Sequence, residues 1–165
     1  MTEFREHPSL ASVWDGARLV PKSSAAAAEE SVWFAVPPDP DFPDAPVLWE
    51  ALNATRTSSD IYVLCGCPVL SAGVAFGDTV RVIASGERGL VVTEVVARGG
   101  FDSARLWFEN GGVTWREPTE QLAAEGCIVD IYTERLVGIS WPASTDVLET
   151  LKRMEAEGLL VYATA

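Results

Sequence analysis

Nucleophilic and acid–base catalysis needs a base beside a nucleophile, and this sequence supplies one histidine, His7, and three cysteines, Cys65, Cys67 and Cys127. His7 lies in a weakly patterned N-terminal stretch, so no Ser-His-Asp or Cys-His set can be assembled around a predicted scaffold. Cys65 and Cys67 are two apart and point the same way in a strand, which suits neither a disulfide nor the usual spacing of zinc ligands. All three cysteines read as reduced, buried small hydrophobes. A thiolate at Cys65 or Cys67, activated by Arg81 or Arg105, is the enzymatic alternative. Glu50, midway along a strand beside Trp49, is the carboxylate of most interest: it is either solvated or paired with a base such as Arg81 or Arg105. Glu94 is the strand carboxylate that could face it in a glycosidase-like pair. Asp78 follows Gly77 and is expected to accept N–H bonds within its own turn. SGERG (85–89) and ARGG (97–100) lack the order of a phosphate-binding loop. No catalytic residue, metal ligand or cofactor is assigned.

Recognition of another protein is the chemistry the remaining residues suit. The chain has 24 acidic and 12 basic side chains, a formal net charge of −12. Residues 1–60 carry 4 basic and 10 acidic groups and residues 61–165 carry 8 and 14, so each part nets −6. Such a field argues against nucleic acid or an anionic membrane as partner and favours a basic protein, whose encounter it accelerates. PPDPDFPDAP (37–46) has five prolines in ten residues, a stiff loop in which Asp39, Asp41 and Asp44 surround Phe42. It lacks the central Gly and terminal Glu of a calcium loop. The loop ahead of the first long helix holds Trp115 between a Gly pair and the charges of Arg116 and Glu117, a second candidate anchor.

Three segments must position these residues. Residues 1–30 are expected to form a poorly ordered arm and linker, with Leu10, Val13, Trp14, Leu19 and Val20 able to dock and an Ala run with almost no apolar face. Residues 31–100 form a small β-rich subdomain, with strands over 31–36, 47–53, 61–67, 79–84 and 90–97 separated by Gly- and Pro-rich turns. These suggest a twisted or barrel-like antiparallel sheet. Residues 101–165 read as strand, helix, strand, strand, helix, strand, with Gly126 and Gly158 marking the helix stops. That order predicts a ferredoxin-like βαββαβ unit with two helices on one face, so the fold class is α+β. No run of 18 apolar residues and no secretory signal is present, which makes the cytoplasm the default location.

Several pieces in order resemble the bacterial family known as domain of unknown function 4265. They are VLWEAL (47–52), CPVLSAGVAFGDTVRV (67–82), ARGGFDSARLWF (97–108), LAAEGCIVD (122–130) and the tail over 135–164. Trp49, Glu50, Pro68, Gly77, Asp78, Arg105, Gly126 and Cys127 match the family pattern. A His-bearing turn does not, being replaced by Gly100 and Phe101, and Val69 stands for an aromatic. The family brings no established chemistry. Some members resemble immunity proteins encoded beside bacterial toxins, as in contact-dependent inhibition. With no catalytic set assigned and an acidic charge, the expectation is a non-enzymatic protein-binding protein; the resemblance makes its most concrete form an immunity protein that neutralises a cognate toxin domain by stoichiometric binding, and the acidity suits a basic one. A small cysteine-dependent enzyme and a structural or regulatory homo-oligomer are the alternatives.

Overall fold

The structure, a computed structural model, describes residues 2–87, 89–109 and 114–165. Arg88 of the SGERG turn and residues 110–113 of the loop before Trp115 lie outside the described residues.

Two six-stranded sheets make the molecule. The first contains β1 (Thr2–Glu6), β4 (Glu30–Val36), β5 (Val47–Arg56), β6 (Ile61–Leu64), β7 (Thr79–Ser85) and β8 (Gly89–Ala97). Its order is β1-β5-β4-β8-β7-β6, and a further pairing of β6 with β5 closes it. A barrel-like sheet is thus present, but it is not purely antiparallel as the sequence suggested. Each consecutive pair from β4 to β8 runs antiparallel, and with five alternating strands the closing pair, β4 with β8, has to be parallel. The pair β1 with β5 is parallel as well. β5 therefore shares one edge between two partners: Val47–Ala51 with β1, and Ala54–Arg56 with β6. Val32, Phe34, Leu52, Ala54, Tyr62, Leu64, Val80 and Val82 fill the interior, alternate residues of half-buried strands.

The second sheet has the order β12-β9-β11-β10-β2-β3, all antiparallel. Its strands are β2 (Ser12–Trp14), β3 (Leu19–Pro21), β9 (Phe101–Trp107), β10 (Ile128–Thr133), β11 (Leu136–Pro142) and β12 (Val161–Thr164). α2 (Arg116–Ala124) and α3 (Val147–Ala156) pack on it. Both stop at glycines in the left-handed region, Gly126 at φ 102° and Gly158 at φ 74°. Along β9, β10 and β11 the residues alternate. Ala104, Leu106, Val129, Val137, Ile139 and Trp141 enter the core beneath the helices, while Ser103, Arg105, Ile128, Asp130, Gly138 and Ser140 occupy the other face.

That second face meets the barrel. The connection between β6 and β7, residues 65–78, lies across it. The Ser103 hydroxyl donates to Val74 O at 3.0 Å, Phe76 N donates to Ser140 Oγ at 3.2 Å, and Arg105 Nη1 donates to Leu70 O at 3.3 Å. Backbone passes so close to β11 that a Cβ on Gly138 would stand 2.8 Å from Pro68 O. Residues 1–30, placed in an arm and linker by the sequence, contribute β1 to the barrel and β2 and β3 to the second sheet, then a short helix, α1 (Ser23–Ala27). Among the described residues no helix is long and apolar enough to cross a membrane.

Candidate functional site

The 37–46 loop joins β4 to β5 and is braced by its own backbone. Asp41 N donates to Asp39 Oδ1 at 2.9 Å, Phe42 N to Asp39 O at 2.8 Å, and Ala45 N to Phe42 O at 3.0 Å. Asp39 thus sets two bonds of one turn, a local Asx arrangement that fixes the residues after it. The result is that Phe42 is held outward, 68% exposed, with Asp39, Asp41 and Asp44 exposed around it. A ring costs little side-chain entropy on binding, and a fixed loop costs less than a mobile one.

The second candidate differs. Trp115 is half-buried against the core of the second sheet, and the Arg116 guanidinium sits 5.0 Å from its ring centroid. Arg116 also pairs with Glu120 at 3.8 Å, one turn along α2. Glu117, in the first turn of α2, is exposed and well placed for the positive end of that helix. Trp115 is thus mainly a cover for the sheet, and the two candidate loops belong to different sheets.

The most developed polar cluster is one the sequence did not assemble. His7, just past β1, lies between two buried carboxylates. Its Nε2 is 2.8 Å from Glu50 Oε1, and its Nδ1 is 2.9 Å from Asp130 Oδ1. The first contact is a hydrogen bond; the second is a close ion pair lying off the line of a straight bond. The imidazole is 6% exposed, Glu50 not at all. Glu50 also receives three backbone N–H groups: Val69 at 2.7 Å, Leu70 at 3.2 Å and Ser71 at 2.7 Å. Asp130 Oδ2 receives Cys67 N at 3.1 Å. One imidazole therefore ties β1, β5, the 65–78 segment and β10 together, with Tyr132 edge-on at 5.4 Å.

Charge in that cluster is set by competing effects. Burial alone would push His7 down, but Asp130 and then Glu50 overcome it and raise it to about 9. Burial would raise Glu50, yet His7 and the Ser71 and Val69 donors hold it below its ordinary range. A ring protonated on both nitrogens has no lone pair with which to accept a proton, so at neutral pH His7 acts as a cationic pin between the sheets.

A third buried carboxylate, Asp78, accepts Ala75 N within its turn at 3.1 Å, as the sequence indicated. It also accepts Gly99 N at 2.8 Å and Arg98 Nη1 at 3.0 Å. Gly77 and Gly99 touch so closely there that a Cβ on Gly99 would come within 2.3 Å of Gly77 backbone. Glu50 pairs with neither Arg81 nor Arg105. Arg81 reaches Asp60 and Glu94 on the barrel's outer side, and Arg105 lies over Trp107. The pairing of Glu94 with Arg81 takes it out of the suggested carboxylate pair with Glu50. Cys65, Cys67 and Cys127 are free and buried. Burial lifts the Cys67 thiol well above its usual value and, with Glu125, pushes Cys127 up to about 12. Both thiols are poor nucleophiles in this setting. Among the described residues, no group of His, Cys, Asp and Glu is arranged to hold a metal ion.

Comparison with known proteins agrees with this architecture. The fold is similar to that of a protein from Neisseria gonorrhoeae whose structure is described as "Novel crystal structure of a hypothetical protein". The TM-score is 0.66 at 12% identity, over 81% of this chain and 92% of that one, a likeness of fold alone. No curated protein matches the chain. A family model does, the one described as Domain of unknown function (DUF4265), over residues 50–162. The matched range begins at Glu50 and contains Asp78, Asp130 and the whole 65–78 segment, but not His7.

Proposed function

The chain belongs to the family of domain of unknown function DUF4265, and from that premise we propose that it acts without catalysis, by binding a basic protein domain in one-to-one stoichiometry. The observation that carries the reading is Phe42, a braced and exposed ring inside three exposed carboxylates. Exposed aromatics in a charged rim are the usual anchors of protein interfaces, and the acidic field steers a basic partner toward them. In its concrete form the partner is a bacterial toxin domain and this chain its immunity protein in the cytoplasm. The half-buried Trp115, with Arg116 and Glu117, is the secondary contact. We also read the unit β9-α2-β10-β11-α3-β12 as ferredoxin-like, supported by its strand order β12-β9-β11-β10.

The test is capture of the tagged chain from a lysate of its own organism at low and moderate salt, with mass spectrometry. The expected result is one stoichiometric basic polypeptide, retained less well as salt rises. Replacing Asp39, Asp41 and Asp44 by lysine should slow its association, most at low salt, and Phe42→Ala should speed its dissociation. Recovery of the chain alone at both salts, or affinity unmoved by both sets of changes, would sink the proposal.

A further inference from the structure

A different surface, away from both candidate loops, carries an aromatic corner. β1, β4 and the start of β8 present Phe4, Trp33 and Gly89 on the outside of the barrel, where they line an open groove of about 360 Å³ together with Glu6 and Glu87. The register explains the meeting. Phe4 lies opposite Trp49, Trp33 opposite Ala51, and Trp33 opposite Val91, so these side chains share the outer face, away from the packed interior. The rings of Phe4 and Trp33 stand 5.5 Å apart at 89°, two walls at a right angle. Phe4 is 49% exposed, a large solvent-facing ring for an edge strand. Among the described residues neither Glu6 nor Glu87 has a cationic partner within ion-pair distance, although other exposed carboxylates of the chain, such as Glu94 and Glu149, do.

We infer that this groove is a recognition site for one cationic side chain, lysine or arginine, presented by a basic polypeptide. The charges decide the occupant. In this edge-to-face pair an open ring face attracts a cation through its quadrupole, and the second ring covers its apolar stem. Two carboxylates at the rim supply the matching charge, in a chain whose net charge is −12. An apolar side chain would satisfy the rings and leave the carboxylates unmatched, and an anion would be repelled. The groove draws on β1, β4 and the turn between β7 and β8 rather than on the 37–46 loop, so the inference stands or falls apart from the loop.

The probes are three blocked peptides of equal length, with lysine, arginine or norleucine at the centre, titrated into the ¹⁵N-labelled full chain. Saturable shifts of the Trp33 indole N–H and the Gly89 amide are expected with lysine and arginine, with norleucine binding at least about fivefold more weakly. Phe4→Leu and Trp33→Leu, followed at Gly89, should each weaken the lysine peptide about two- to fivefold. Glu6→Gln with Glu87→Gln, exposed changes that leave packing alone, should weaken it and remove most of its salt dependence. Asn at Asp39, Asp41 and Asp44 should leave these shifts in place. Equal binding of norleucine, or lysine binding untouched by the Trp33 and the paired Glu changes, would overturn the inference.

Discussion

Glu50 and Asp41 stand nine residues apart and carry the same charge, but they are held in opposite ways. Glu50 is fully buried and met by an imidazolium and three backbone N–H groups. Asp41 is exposed in a loop that keeps its shape through Asp39 and backbone turns. At the seam, carboxylates are structural, because a buried charge is tolerated only when its lone pairs are filled. On the loop, carboxylates face solvent and cost the fold almost nothing. An acidic chain can therefore divide its charge into a part that joins its two sheets and a part that faces outward. Net charge alone does not tell the two apart.

The contrast is broken most directly at Glu50. Glu50→Ala would leave His7 with one carboxylate and strand the N–H groups of Val69, Leu70 and Ser71 in the seam. Removing one member of a buried pair costs about 3–5 kcal/mol, so denaturant unfolding should show a loss of that size. A loss below about 1 kcal/mol would mean that water or rearrangement satisfies the seam, and that Glu50 is no more structural than Asp41.

The same seam should also reveal itself through pH. His7 is raised from 6.5 to about 9 in the folded chain. Its contribution is then fully present below about pH 6.5, falls as the unfolded chain loses its proton, and is gone as pH rises through about 9. A shift of this size corresponds to about 3 kcal/mol. Glu50 has the opposite sign. Its depressed value gives stability that is present above 4.5 and lost as pH falls through the folded value. Unfolding free energy measured from pH 6 to 9 should decline in the natural chain and stay nearly level in His7→Gln. Parallel curves would place the pH dependence elsewhere.

Much of the architecture is legible from the sequence because it is local. The strands over 31–36, 79–84 and 90–97 follow from alternation and turn residues and lie within about one residue of their predicted ends, and both long helices stop just ahead of the glycines that mark them, Gly126 and Gly158. Asp78 is legible for the same reason, since its first acceptor bond spans three residues. The His7 cluster is not. It depends on a parallel pairing of Thr2–Glu6 with Val47–Ala51 and on Asp130, more than a hundred residues away. No short-range pattern encodes a parallel pairing, which needs a crossover rather than a turn. One signal was available. Asp130, Gly138 and Ser140 are polar or small residues alternating within strands that are otherwise apolar. Such a face is either solvated or covered by a second body, and here the 65–78 segment covers it. The same long-range logic explains why Glu50, singled out for its strand-centre position, finds a histidine and amides rather than the arginines nearest in pattern.

The smallest effect is expected on the loop, and it is the one that separates bracing from charge. Asn in place of Asp39, Asp41 and Asp44 keeps an Oδ1 able to accept the Asp41 backbone bond while removing three charges at the surface. Exposed substitutions away from caps and buried networks usually stay within about 0.5 kcal/mol, so the urea midpoint and slope should match those of the natural chain. Partner association should nonetheless slow and become less dependent on salt. If the triple change instead unfolded the chain by more than about 1 kcal/mol, the loop would belong to the fold as the seam does. Its charge would then be structural, and Phe42 would lose its standing as an anchor presented by a free rim.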